Sequence, residues 1–251
     1  MSDLLAIVPA YNEAGAIAGT IAELRRHAPG FDVVVVDDGS TDGTGDIARQ
    51  AGARVLQLPF NVGIGGAVQA GYVYAAENGY QVAVQVDGDG QHDPRCLPVL
   101  LERLRSRPDL NMVTGSRFMS ADGHGYRSSA SRRLGIRIFG RILSAVVGRP
   151  VTDPTSGLRM TDRRGIELFA RDYPHDYPEV EAVLLLHHHR LAAEELPVRM
   201  RERQSGVSSI NASRSIYYMI KVLLAIFVGL LRSRPTVEPG DEAPVRAQQA
   251  V

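Results

Sequence analysis

Short apolar runs alternate with amphipathic segments along the first half of the chain. Residues 4–8 and 32–36 are continuous apolar runs, which is typical of buried strands. Between them, residues 13–27 carry apolar side chains at helical spacing, and Pro29-Gly30 ends that helix. The same alternation predicts further helices at 42–51, 65–78 and 95–107 and further strands at 54–58, 82–86 and 112–115. Strands that alternate with helices of this length predict a doubly wound, mostly parallel α/β sheet flanked by helices.

The regular alternation ends after Arg117. A polar stretch leads into a predicted arginine-rich helix at 132–147, which is followed by a loop at 148–157. Beyond it the pattern predicts a helix after Arg163, a helix at 179–189 and a strand at 194–200.

An apolar segment at 216–231 follows the polar loop 202–209. Its 16 residues span about 24 Å as a helix, which is short of the roughly 30 Å hydrocarbon core. Flanking arginines and Tyr217-Tyr218 favour a helix that lies in a membrane interface or docks on a small membrane protein. The alternative is a helix that is buried against the domain or in a homo-oligomer. The polar tail 233–251 is expected to be disordered.

Composition limits the classes of partner. The 28 basic and 28 acidic residues give a net charge of zero, so no overall basic field favours nucleic acid. The single cysteine, together with the lack of a signal peptide, predicts a cytoplasmic location. Lys221 is the only lysine, and any other fixed cation for a phosphate is therefore an arginine.

Polar, glycine-rich loops follow each of the first four predicted strands. In an open parallel sheet the ligand crevice lies at the carboxyl ends of the strands, so these loops are the predicted site. They are Pro9-Ala10-Tyr11-Asn12-Glu13, Asp37 to Thr44, Asn61 to Gly66 and Asp87 to Pro94. The loop after the first strand lacks the glycine pattern of dinucleotide-binding folds, which counts against a nicotinamide enzyme.

Asp87 and Asp89 are separated by one glycine on a predicted sharp turn. This spacing lets both carboxylates face one point, where Mg²⁺ or Mn²⁺ takes one or two protein carboxylates and completes its shell with water and substrate phosphate. Gln91 or His92 is expected to add a ligand or an orienting contact. A solvated turn is the alternative interpretation.

The loops after the second and third strands offer nucleotide contacts. Asp37-Asp38 supplies acceptors for a base edge and for ribose hydroxyls, although Ser40 or Thr41 also fits a helix N-cap. The glycines at 63, 65 and 66 lead into a helix and allow a phosphate cradle.

Together these motifs resemble the successive signatures of the family 2 glycosyltransferases of GT-A fold, and in particular those of the dolichyl-phosphate mannose synthase and polyprenyl-phosphate glycosyltransferase branch. The resemblance covers roughly residues 4–232. It implies an inverting, metal-dependent transfer of a sugar from a UDP-, GDP- or dTDP-sugar. It also implies a nucleotide site that comprises Pro9, Tyr11, Glu13, Asp38, Asn61, Gly63, Asp87 and Gly88, and a metal site that comprises Asp87, Asp89 and Gln91.

The resemblance also extends to the acceptor side. The segments 115–118 and 153–159 are similar to acceptor-side segments of that branch, and Arg203-x-x-Gly206-x-Ser208 is similar to its late loop that closes on the donor phosphates. The residues predicted to bind an acceptor phosphate are Arg117, Arg127, Arg132 and Ser156.

The predicted catalytic residues are Asp89, Asp153, Glu181 and Arg203. The metal and Arg203 would stabilise the charge that develops on the leaving diphosphate. A lipid phosphate acceptor is largely dianionic at neutral pH and needs no strong base. A saccharide hydroxyl would need a carboxylate base, with Asp153, Glu179 and Glu181 as the candidates.

These expectations define the organisation of the chain. Residues 1–209 form the catalytic domain, with 1–116 as the nucleotide-sugar half and 117–209 as the acceptor half, and 210–232 form the apolar helix. The enzyme would act peripherally at the inner face of the cytoplasmic membrane. The rival functions are a sugar nucleotidyltransferase, which would release pyrophosphate, and a non-catalytic membrane-docking subunit.

Overall fold

The computed structural model describes residues 2–119, 130–175 and 177–201, with the backbone alone in 130–136. In chain order the first half contains β1 (Leu4–Ala10), α1 (Ile17–His27), β2 (Phe31–Asp37), α2 (Thr44–Gln50), β3 (Arg54–Gln57), α3 (Gly63–Glu77), β4 (Val82–Gln85), a 3₁₀ turn (Pro94–Cys96) and α4 (Leu97–Ser106). The second half contains β5 (Leu110–Ser116), α5 (Ala130–Val147), β6 (Arg159–Asp162), α6 (Arg163–Arg171), α7 (Pro178–His188) and β7 (Ala192–Pro197).

The seven strands form one sheet in the order β3-β2-β1-β4-β6-β5-β7. β1 pairs in parallel with both β2 and β4, and β5 pairs in parallel with β7. β6 runs antiparallel to both of its neighbours, β4 and β5. The predicted doubly wound, mostly parallel α/β sheet is therefore confirmed.

Each face of the sheet is covered by helices. Alternate residues of β1 face opposite sides, so that Ala6 and Val8 pack with α1, α2 and α4, whereas Leu5 and Ile7 pack with α3, α6 and α7. A third, smaller core lies between α5 and α7. Burial on both faces explains why β1 and β2 contain continuous apolar runs rather than an alternating pattern.

The sequence pattern missed one strand. The segment 158–162 has no predicted element, yet Arg159–Asp162 forms β6 in the centre of the sheet. Its four residues are Arg, Met, Thr and Asp, which form neither an apolar run nor a clean alternation, so the sequence pattern does not predict a buried strand here.

The observed bounds also differ from the predicted ones. The predicted helix at 13–27 begins at Ile17, and the predicted strand at 194–200 covers Ala192–Pro197. Arg132, Arg127, Arg203 and the segment 216–231 lie outside the residues whose side chains are described. Within the described ranges, no helix combines the length and apolarity needed to cross a bilayer.

Candidate active site

A cavity of about 440 Å³ lies at the carboxyl ends of β1, β2 and β4, beside the first turn of α3. This volume falls within the range that small-molecule sites occupy. It is lined by Pro9, Ala10, Tyr11, Glu13, Asp38, Asn61, Gly63, Ile64, Ala67, Asp87, Gly88 and Asp89. All eight predicted nucleotide residues and both predicted metal carboxylates therefore meet in one cavity, although their binding roles stay predictions.

A larger depression of about 640 Å³ lies near the amino ends of β2 and β3, where Arg25, Arg54 and Tyr74 form part of its wall. None of the predicted site residues lines it. Position at the carboxyl ends of the strands, rather than volume, therefore identifies the candidate site.

The loops after β1 and β2 are joined by hydrogen bonds from backbone N–H groups to side chains. The bonds are Asn12 N–H to Ser40 Oγ (3.0 Å), Thr41 N–H to Asn12 Oδ1 (2.9 Å), Glu13 N–H to Thr44 Oγ1 (2.9 Å) and Ala14 N–H to Asp42 Oδ2 (3.0 Å). These polar residues satisfy loop backbone that has no partner in the sheet. They fix the two loops to each other and so hold Tyr11 and Glu13 at the cavity wall.

The adjacent carboxylates of Asp37 and Asp38 have different surroundings. Asp37 is buried, accepts the Ser40 N–H at 3.0 Å, and lies so close to Gly45 that a Cβ there would be 2.5 Å from Oδ2. Asp38 lines the cavity and accepts the N–H groups of Val62 and Gly63, at 2.7 and 3.0 Å. Asp37 thus stabilises the loop after β2. Asp38 lines the cavity and bonds the loop after β2 to the loop after β3.

The loop after β3 approaches the loop after β2 at Gly39. Gly39 has a φ of +71°, and a Cβ at this position would be 2.8 Å from the Asn61 nitrogen. Glycine is needed here both for the left-handed conformation and for the close approach. The predicted phosphate cradle is only partly at the cavity, because Gly63 lines it whereas Gly65 packs against the carbonyl of Pro174.

Asp87 and Asp89 supply the two carboxylates of the predicted metal site. Both line the cavity, the Asp87 side chain is 35% exposed, and Asp89 accepts the Gln91 N–H at 3.0 Å. Among the described residues no group of three or more His, Cys, Asp or Glu side chains is arranged to hold a metal. Two carboxylates suffice for Mg²⁺ or Mn²⁺ when water and substrate phosphate complete the shell. Gln91, the third predicted ligand, is not among the residues that line the cavity.

Arg117 and Asp153 form a buried ion pair. The Asp153 carboxylate accepts the Arg117 N–H at 3.0 Å and the Nε and Nη2 of the same arginine at 2.7 Å each. The Asp153 side chain is 0% exposed and that of Arg117 is 9% exposed. This pairing counts against two predictions, a general base at Asp153 and a phosphate ligand at Arg117, because each needs its group to be available.

Ser156 also has a structural partner. It is fully buried, and its hydroxyl donates to the Gly115 carbonyl at 2.6 Å. A buried hydroxyl that is already bonded is poorly placed to meet an acceptor phosphate. Glu181, another of the three candidate bases, is half-buried in the first turn of α7.

Sequence reasoning gave no role to Arg159. This arginine is 1% exposed and donates to the backbone carbonyls of Ser156, Pro178 and Glu179. It thereby fastens the first turn of α7 to the loop before β6. A buried arginine in a short polar segment does not contribute to a periodic apolar pattern, so the sequence pattern could not identify it. Arg159 was included only as the last residue of the segment 153–159, which resembles an acceptor-side segment of the family.

Glu179 lies in the electrostatic field of the site. Burial raises the pKa of this carboxyl, the Arg159 guanidinium opposes that shift, and the Asp87 carboxylate adds to it. Glu179 is thus a carboxyl of raised pKa near the predicted metal ligands, which is a feature of general bases. The sequence predicts Glu179 as a candidate base, but it does not predict that Glu179 lies in the electrostatic field of Asp87.

A mostly parallel sheet with an acid pair and a nucleotide-sized cavity at its carboxyl edge is the architecture of the GT-A glycosyltransferases. The chain belongs to glycosyl transferase family 2, whose family model matches residues 5–169. It is therefore a glycosyltransferase.

Several relatives match more than three quarters of the chain. It is 34% identical to the undecaprenyl-phosphate mannosyltransferase of Micrococcus luteus, over 83% of this chain and 87% of that protein. It is 30% identical to the polyprenol monophosphomannose synthase of Mycolicibacterium smegmatis, over 87% of this chain and 84% of that protein.

The fold is also found among solved structures. Glucosyl-3-phosphoglycerate synthase from Mycobacterium tuberculosis, solved in complex with Mn²⁺, uridine diphosphate and phosphoglyceric acid, superposes with a TM-score of 0.67 at 20% identity. The match covers 90% of this chain and 78% of that one, and it confirms the fold.

Proposed function

We propose that this glycosyltransferase moves a sugar from a nucleoside diphosphate sugar to a polyprenyl-type lipid phosphate. The observation that carries the proposal is the match to two relatives that are named for transfer to such lipids, at 34% and 30% identity over more than four fifths of the chain. The match covers more than four fifths of the chain, so it is not confined to the residues that line the donor cavity.

The donor would bind in the cavity at the carboxyl ends of the strands. Pro9, Tyr11, Glu13 and Asp38 would hold the nucleoside, and Asn61 and Gly63 would close the adjoining wall. Asp87 and Asp89, with Gln91 nearby, would hold Mg²⁺ or Mn²⁺, which supplies charge neutralisation for the departing diphosphate. Arg203, two residues beyond the described Arg201, is proposed to assist from the late loop.

A lipid phosphate agrees with the state of Asp153. A dianionic phosphate oxygen attacks the anomeric carbon without losing a proton, so the ion pair that engages Asp153 does not obstruct the reaction. A saccharide hydroxyl is the competing acceptor, and the raised pKa of Glu179 beside Asp87 favours it. With that acceptor, Glu179 or Glu181 would take the hydroxyl proton.

The location follows from the acceptor. We propose that residues 1–209 form the catalytic domain, with a donor half at 1–116 and an acceptor half at 117–209. The apolar residues 210–232 would bring it to the inner face of the cytoplasmic membrane, directly or through a small membrane protein or a second copy. Removing residues 214–251 and measuring membrane partition tests this, and unchanged partition contradicts it.

Transfer assays test the activity. Purified enzyme with Mn²⁺ or Mg²⁺ is given radiolabelled UDP-, GDP- and dTDP-sugars with either polyprenyl phosphate or a saccharide acceptor, and label is counted in the lipid phase or in the saccharide product, respectively. We expect label in the lipid for at least one donor and its loss in Asp89→Asn. Asp109→Asn is the matched control, because Asp109 is an exposed residue paired with Arg107.

The alternatives give different results. Glu179→Gln and Glu181→Gln should leave transfer to the lipid largely intact. If the wild type instead transfers to the saccharide, and either variant loses that transfer, the acceptor is a hydroxyl. Release of pyrophosphate from a nucleoside triphosphate identifies a nucleotidyltransferase. No turnover together with no nucleotide binding in calorimetry contradicts the proposal and favours a docking subunit.

A further inference from the structure

His92 is buried next to Asp87, one of the two predicted metal carboxylates, and each of its ring nitrogens lies near an atom of that residue. It is 4% exposed, and its Nδ1 accepts the backbone N–H of Asp87 at 2.9 Å. A nitrogen that accepts a hydrogen bond carries no proton, so the ring proton is on Nε2. Nε2 is 3.6 Å from Asp87 Oδ2, which is longer than a hydrogen bond but close enough to orient the carboxylate electrostatically.

The other carboxylate oxygen of Asp87 has a second buried donor. Gln85, which is 3% exposed at the end of β4, donates from Nε2 to Asp87 Oδ1 at 3.2 Å. Gln85 ends a strand that is otherwise made of apolar residues, and burying its amide there is costly unless the amide has a partner. Each oxygen of the Asp87 carboxylate therefore faces a different buried N–H group.

Backbone closes a third side of this carboxylate. A Cβ at Gly157 would lie 3.2 Å from both oxygens of Asp87 and 3.2 Å from Gln85 Nε2. The carboxylate thus lies between His92, Gln85 and the backbone of the loop before β6, with its exposed part toward the cavity.

We propose that His92 and Gln85 are positioning residues, which hold the Asp87 carboxylate in the orientation that a divalent cation requires. The inference rests on the proposed function, because the cation is the one that the donor diphosphate would share. His92 itself is not proposed as a ligand, since Nδ1 is bonded to backbone, Nε2 faces Asp87, and the residue does not line the cavity. Outer partners of this kind typically change metal affinity by about 10–100-fold.

Two substitutions separate the two nitrogens of His92. His92→Asn keeps an acceptor near the Nδ1 position and removes the Nε2–H, whereas His92→Gln keeps an N–H donor near the Nε2 position. Mn²⁺ affinity is measured by the electron paramagnetic resonance signal of free Mn²⁺ at saturating UDP. UDP affinity without metal is measured by calorimetry, and melting curves confirm that each variant is folded.

We expect His92→Asn and Gln85→Leu to weaken Mn²⁺ binding by about 10–100-fold, with metal-free UDP affinity unchanged. His92→Gln should retain more Mn²⁺ affinity than His92→Asn. Gly157→Ala should also weaken Mn²⁺ binding, because its Cβ crowds the Asp87 carboxylate without removing a polar group. His27→Asn, at the far end of α1, is the control and should bind Mn²⁺ as the wild type does.

The tautomer provides a readout that is independent of metal and of activity. ¹⁵N spectra of histidine-labelled enzyme should show His92 protonated at Nε2 only. A proton on Nδ1, or unchanged Mn²⁺ affinity in folded His92→Asn, overturns the proposal. Failure of the wild type to bind Mn²⁺ or UDP at all instead overturns the proposed function and this inference with it.

Discussion

The ion pair between Arg117 and Asp153 predicts a large loss of stability when one partner is removed. Arg117→Met leaves the Asp153 carboxylate, which is 0% exposed, with the residue 117 N–H and the Thr155 hydroxyl as its remaining partners. Breaking a buried pair in this way costs about 3–5 kcal/mol, since the remaining charge is uncompensated. For a chain of this size, that corresponds to a fall of roughly 6–20 °C in Tm.

Urea unfolding followed by circular dichroism measures this loss. Asp153→Leu should cost a similar amount, and the double variant Arg117→Met/Asp153→Leu should cost much less than the sum, because no buried charge remains. Glu167→Gln breaks the more exposed pair with Arg163 and should cost only about 0.3–0.5 kcal/mol.

The result that would refute the reasoning is specific. If Arg117→Met costs less than about 1 kcal/mol, the pair is not the buried contact that the geometry describes. If Asp153→Asn also abolishes transfer at unchanged stability, Asp153 is restored as a catalytic residue.

Three further predictions concern packing, pH dependence and thiol reactivity. Gly71→Ala should destabilise the enzyme by about 1–3 kcal/mol in urea unfolding, because its Cβ would overlap Ile7 Cγ2 between α3 and β1. Gly19→Ala, in open space on α1, should instead stabilise it by about 0.5–1 kcal/mol. The neighbouring Arg95 guanidinium lowers the pKa of Asp93 below its ordinary 3.8, so Asp93 stabilises the fold above about pH 4 and this contribution is lost as the pH falls through the lower, folded value. Asp93→Asn should therefore flatten the stability curve in acid, which thermal melts at stepped pH measure. Burial raises the pKa of the Cys96 thiol to about 12, so alkylation at pH 8 should be slow in the native enzyme and fast in urea.

Each of these has an outcome that contradicts it. Equal effects of the two glycine substitutions would exclude the close approach of α3 to β1. An acid limb that is identical in Asp93→Asn and the wild type would exclude the stabilising ion pair. Rapid native alkylation would show that the thiol is accessible and ionised.

Much of the donor half could be predicted because its signals are local. β1 and β2 contain continuous apolar runs, and a polar loop begins close to where each run ends, as at Val36 and Asp37. Since the carboxyl ends of parallel strands share one edge, the order of the strands is enough to bring these loops together.

The acceptor half was harder to predict because its contacts are between distant residues of mixed polarity. Arg117 and Asp153 are 36 positions apart, and nothing in the sequence indicates that each satisfies the other. β6 was missed for a related reason, since its buried Arg159 is satisfied by carbonyls from two other segments rather than by an apolar environment.

The same loops contain residues that hold the loops together and residues that line the cavity, in close alternation. In the loop after β1, Tyr11 and Glu13 line the cavity, whereas the side chain of Asn12 between them bonds to the loop after β2. Of the adjacent Asp37 and Asp38, only Asp38 lines the cavity, and its carboxylate also bonds to the loop after β3. A match to the motif therefore predicts the shape of the cavity before it predicts any contact with a ligand. Substituting a loop-binding residue such as Asn12 should impair donor binding without removing any group that touches the donor.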